Sequence, residues 1–67
     1  MAVLKVIEVL SSSTKSWEDA TNNAVIEASK TIKDISSVYV QDFSTTVKDG
    51  KVDEYRVNVK ITFRLNR

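Results

Sequence analysis

From Tyr55 to Leu65 the chain alternates without a break. Tyr55, Val57, Val59, Ile61, Phe63 and Leu65 are apolar, and Arg56, Asn58, Lys60, Thr62 and Arg64 are polar or charged. Successive side chains of a strand point to opposite faces, so this segment is one long amphipathic β-strand. Eleven residues at about 3.4 Å each reach roughly 37 Å. Burying that stripe is the first demand on the fold, and a single helix can cover only part of it.

Size sharpens the demand. At 67 residues the chain makes one small domain, 1–67, with no cysteine for disulfide staples and no histidine. Domains this small gain stability from good packing or from oligomerisation, and the extent of the apolar strand surface favours the second. The net charge of +1, with both signs interspersed, leaves no footprint for nucleic acid or a membrane surface. No apolar run is long enough to span a bilayer, and the first residues lack the apolar stretch and small-residue cleavage site of a secretory signal. A cytoplasmic location is the default for such a chain.

Upstream, Val3 to Leu10 is apolar on both parities, the pattern of a strand covered on both faces, one by a helix and one by another strand or subunit. Ser11-Ser12-Ser13-Thr14 then reads as a polar turn. Ser16 stands at an N-cap, with Asp19 in the capping-box position. Trp17 to about Lys33 is the predicted helix, with a buried stripe of Trp17, Ala20, Ala24, Ala28 and Ile32 or Thr31, flanked by Val25 and Ile35. Glu18 and Asp19 complement its positive end, and Lys30 and Lys33 its negative end. Three alanines in the stripe imply a close approach of helix to sheet. Asp34 to Ser37 breaks the helix, and Val38 to Val47 follows as a strand. Lys48-Asp49-Gly50-Lys51 holds the only glycine, and Asp-Gly is a hairpin signal. The order is β-α-β-β, an α+β domain with a long antiparallel hairpin.

Catalysis finds little to work with. No histidine or cysteine can act as base or nucleophile, and one glycine cannot make a phosphate-binding loop. The serines look like turn chemistry, and Asp53 and Glu54, adjacent on a strand, point to opposite faces. Asp34, Asp42, Asp49, Asp53 and Glu54 are the oxygen donors available to a metal, with no spacing like that of an EF-hand loop; they could gather where copies meet. Trp17 either wedges the helix start against the sheet or a neighbour, or stacks on a ligand. Tyr39 shares its parity with Ser37 and Gln41 and lies opposite to Val38 and Val40. If those valines face the helix, Tyr39 lies on the face that carries Arg56, as an interface contact or as part of a binding site.

The order β-α-β-β, the segment Ser13-Thr14-Lys15-Ser16-Trp17-Glu18-Asp19-Ala20 and the run from Asp49 through Phe63 resemble the dodecin family over essentially the whole chain. The resemblance implies a three-stranded antiparallel sheet partly wrapping one helix, and a hollow homododecamer built from trimers. It also implies a non-enzymatic store of flavin, riboflavin or FMN, in pockets at two-fold contacts. There a tryptophan at the start of strand two stacks on the ring, and a glutamine on strand three bonds its polar edge.

Here Ser37 stands at the tryptophan position and Arg56 at the glutamine position. This chain resembles instead a branch with an aromatic two residues later, Tyr39, and the strand sequence Glu54-Tyr55-Arg56. A calcium-binding dodecin-like protein belongs to the wider group. The resemblance therefore implies a ligand site at Ser37, Tyr39, Gln41 and Arg56 that binds riboflavin weakly and a phosphorylated flavin or simple anion better. A flavin-free shell that binds calcium or anions, or is purely structural, is the alternative.

Overall fold

In a computed structural model residues 2–65 are described; Met1, Asn66 and Arg67 of the expected 1–67 unit lie outside them. The elements are β1 (Leu4–Ser13), α1 (Trp17–Ser29), β2 (Ile35–Lys48) and β3 (Lys51–Arg64). They form the expected β-α-β-β arrangement of one helix on a three-stranded antiparallel sheet, in the order β1-β3-β2. The alternating strand is thus central, hydrogen-bonded on both sides. Its apolar parity makes the core: Val57, Val59 and Ile61 are fully buried against Ala20 and Ala24, with Ile7, Val9, Trp17, Ala28, Ile35, Val38 and Val40 packed around them. Burying each such valine or isoleucine contributes about 1.5–3 kcal/mol. Alanine at 20 and 24 lets the helix sit close to the strand; a leucine at Ala24 would overpack this contact, at a cost of about 1–3 kcal/mol.

The helix starts as read. Ser16 has extended backbone angles, and its Oγ accepts from the Asp19 amide at 2.9 Å. Asp19 does something other than close a capping box. Its carboxylate accepts from the Ser13 hydroxyl at 2.6 Å and from Asn23 Nδ2 at 3.4 Å. Ser13 Oγ in turn accepts from the Lys15 amide at 2.9 Å. Ser11 to Ser13 are therefore strand rather than turn: they pair with Val57, Arg56 and Tyr55 of β3, and the reversal falls on residues 14–16. A central strand offering free backbone groups outcompetes local serine turn chemistry, because every strand residue gains a ladder partner.

The helix stops at Ser29, four residues before Lys33. Lys30 is the C-cap and pairs with Glu27 at 2.9 Å on the surface, and Lys33 lies past the end, so neither cation sits in the last turn. Ile32 is half-buried and Thr31 exposed. Asp34 takes a left-handed conformation, φ 61°, and its carbonyl accepts from the Arg64 amide. β2 starts at once, at Ile35 rather than Val38. The hairpin turn has φ 54° at Asp49 and 74° at Gly50, the doubly positive pair that matches the twist of adjoining strands.

Three irregularities interrupt the β2–β3 ladder. Ser36 and Gln41 are extra residues on β2, and Asp53 is an extra residue on β3. The described residues extend over 50 Å, whereas a 13-residue helix spans about 20 Å. The helix lies over β1 and β3 and scarcely touches β2. As the alternation required, much of the sheet lies beyond its reach.

Candidate functional site

Two surfaces remain uncovered. On the helix side, the gap between α1 and β2 is an open groove of about 570 Å³ lined by Trp17, Thr21, Val25, Val40 and Phe43, with Glu18 and Asn22 at its rim. Trp17 is the wedge at its end. Its ring meets Tyr55 edge-on at a centroid distance of 5.0 Å and Phe43 at 5.7 Å, while Nε1 donates to the Ser44 carbonyl at 3.1 Å. With its indole edge occupied, Trp17 fastens the helix start to the hairpin. Phe43 remains 62% exposed.

The other surface is the face of the sheet away from the helix. Here β1 contributes Leu4, Val6, Glu8, Leu10 and Ser12, and β3 contributes Arg56, Asn58, Lys60, Thr62 and Arg64. β2 contributes Ser37, Tyr39, Asp42 and Ser44. Val6, Leu10 and Tyr39 are exposed, Tyr39 most of all at 66%. The second face of β1, read as covered, is bare within one chain. Asn58 Oδ1 lies buried on this face without a hydrogen-bond partner among the described residues.

The register fixes where the site residues fall. Ser37 lies opposite Thr62 and Tyr39 opposite Lys60. Gln41 is the bulged residue between the Val40–Val59 and Asp42–Asn58 pairs, so it has no partner of its own on β3. Arg56 lies between Ser12 on β1 and Ser44 on β2. Ser37 and Tyr39 are therefore neighbours on one strand. Arg56 shares their face but lies four residues along β3 from the partner of Tyr39, about 14 Å away.

The side chain that does stand beside Tyr39 is Lys60. Cross-strand partners have Cβ atoms about 4.5–5.5 Å apart. Counting outward from the two-residue Asp49-Gly50 turn pairs 48 with 51 and, nine residues further, 39 with 60. Alternation alone, which assigns faces but not neighbours, passes over it. Among the described residues neither Arg56 nor Lys60 has a carboxylate within ion-pairing distance.

The carboxylates are dispersed. Asp34 lies between α1 and β2, Asp42 faces Asn58, Asp49 is in the turn, and Asp53 and Glu54 are near the hairpin end. Calcium takes about six to eight oxygen ligands, and among the described residues no three acidic groups in one chain lie close enough to hold a metal. Also among the described residues, no helix is long and apolar enough to cross a membrane.

A β-α-β-β chain with its last strand central, and a hairpin far longer than its helix, defines a small class of α+β proteins. Residues 3–66 match the family described as Dodecin. Calcium dodecin of Mycobacterium tuberculosis is 31% identical over 65 residues, covering 97% of this chain and 92% of that protein. The solved dodecin of Streptomyces coelicolor superposes with a TM-score of 0.93 at 30% identity, covering 98% of this chain and 94% of the other. The solved M. tuberculosis calcium dodecin, described as calcium chelating with a novel calcium-binding site, gives 0.85 at 32% identity, covering 97% and 93%. The chain belongs to the dodecin family.

Proposed function

We propose that the chain, acting as one 1–67 unit, is the subunit of a non-enzymatic cytoplasmic homododecamer built from trimers. It binds a small ligand of the flavin type where subunits meet, and riboflavin only weakly. Tyr39 is the observation that carries the ligand reading. A two-thirds exposed tyrosine on the outer sheet face, beside the small Ser37, offers a stacking surface that no aromatic ring among the described residues covers. Ser37, Gln41 and Arg56 would complete the pocket, with Arg56 coming from a second subunit, a placement that the offset of about 14 Å within one chain favours. Its guanidinium can donate to ring carbonyls or lie flat on a ring. Stacking on an aromatic contributes about 0.5–1.5 kcal/mol beyond the buried area. A tyrosine displaced from the serine position by one strand repeat, about 7 Å, recovers only part of it.

Assembly is supported by what one chain leaves bare. Leu4, Val6 and Leu10 on the outer face, Phe43 in the groove, and Val47 and Val52 on the hairpin are all exposed. Titration with riboflavin, read by quenching of its fluorescence, tests the ligand reading. Weak saturable binding that Tyr39→Ala abolishes supports it, and tight binding indifferent to Tyr39→Ala overturns it.

The 31% identity to a calcium dodecin across nearly the whole chain favours a second reading, a flavin-free shell that holds calcium or anions. In that case Asp34, Asp42, Asp49, Asp53 and Glu54 from several copies would supply the oxygens. Calorimetric titration with calcium separates the two, since only this reading gives saturable heat that Asp-to-Asn and Glu-to-Gln exchange at those positions removes.

A further inference from the structure

We propose that Lys60 makes the ligand site selective for anionic over neutral planar ligands, an inference that rests on the reading of a ligand held against Tyr39. Tyr39 and Lys60 are direct cross-strand partners on the outer face of the sheet, and both are exposed. A planar molecule lying on the tyrosine ring has the Lys60 ammonium within reach at one edge. Along β2 it meets the low hydroxyl-bearing step of Ser37, which faces Thr62.

Glu8 is the competitor, for it stands opposite Lys60 on β1. The two are not in ion-pairing contact, and Lys60 has no carboxylate partner among the described residues. A lysine ammonium on a four-carbon stem swings between neighbours easily. A phosphate brings up to two negative charges and three strong acceptors, where Glu8 brings one charge and two. The ammonium therefore turns to a phosphorylated ligand when one is present, whereas for a neutral ligand it gains nothing over water. Arg56, without a carboxylate partner among the described residues, adds positive potential on the same face but is not the cross-strand partner of Tyr39.

Riboflavin and FMN differ by one phosphate and so isolate the effect. Both are titrated against the assembled protein, its Lys60→Met and Lys60→Arg variants, and Tyr39→Ala as a control for the site. The expected result is FMN tighter than riboflavin by about two- to fivefold, the scale of one partly screened charge pair, and a preference that shrinks with added salt. Lys60→Met should shrink the ratio markedly, by a larger loss for FMN than for riboflavin, and Lys60→Arg should preserve it. Binding of both flavins that Tyr39→Ala abolishes, with a ratio that Lys60→Met does not move, overturns the role of Lys60 and leaves the site standing. Failure of both flavins to bind overturns the site and this inference together.

Discussion

The Ser13 hydroxyl donates to the Asp19 carboxylate at 2.6 Å, tying the last residue of β1 to the first turn of the helix. Ser13 is the one buried polar residue among those described, and its oxygen also satisfies the Lys15 amide. Hydrogen bonds to charged groups contribute about 1.5–3 kcal/mol, and stranding a buried partner costs a similar amount. Ser13→Ala should therefore destabilise each subunit by about 2 kcal/mol. Chemical denaturation against wild type checks this, and a loss under a few tenths would mean that water replaces the hydroxyl.

Ser16→Ala removes the acceptor for the Asp19 amide and should cost about 0.5–2 kcal/mol per subunit. Because Ser13 and Ser16 hold the carboxylate and the amide of one residue, their effects should not add. A double-variant cycle that sums without coupling would show two independent caps instead.

Gly50 has φ +74°, and a Cβ built on it meets nothing within 4 Å. Gly50→Ala thus isolates backbone strain from steric clash. The left-handed conformation costs an alanine about 1–2 kcal/mol. The melting temperature should fall modestly while the assembled size stays the same. A fall in size would assign the turn a contact with a neighbouring chain.

Sedimentation at micromolar concentration should show one species of about twelve 7.5 kDa chains rather than a monomer. A folded 7.5 kDa species under those conditions would mean that the exposed valines and leucines tolerate water after all.

Restoring the flavin stack with Ser37→Trp together with Arg56→Gln should raise riboflavin affinity by several fold, on the scale of one aromatic pair per ring. Equilibrium fluorescence titration measures it. Unchanged affinity would locate the ligand away from the start of β2.

What could be read from the sequence is what depends on periodicity and on single decisive residues. Period two on β3 gave the core at Val57, Val59 and Ile61, and Asp49-Gly50 gave the turn. Where two preferences compete, the reading slipped. The helical spacing continues to Ile32, yet β2 has to open at Ile35 to pair with Phe63, so residues 30–34 unwind around a left-handed Asp34. Serines 11 to 13 prefer turns locally and join a ladder because β3 is there to meet them. At the candidate site, face assignment put Tyr39 and Arg56 on one side correctly. Their separation and the presence of Lys60 depend on register, which can be counted from the turn. No residue type at Ser36, Gln41 or Asp53 announces that it is the extra one.

Those extra residues have a consequence for chain length. Gln41 and Asp53 sit on opposite strands, so the offset one introduces is cancelled by the other, and the segment from Asp42 to Thr46 is shifted as a block between them. Deleting Gln41 would leave Val40 and Asp42 facing Val59 and Asn58 as they do now. Deleting Ser44 or Thr45 and closing that bulge would turn Phe43 outward. A one-residue gap is absorbed at the bulge, in mid-strand, and punished further along the block. The hairpin thus carries its tolerance for shortening inside the sheet.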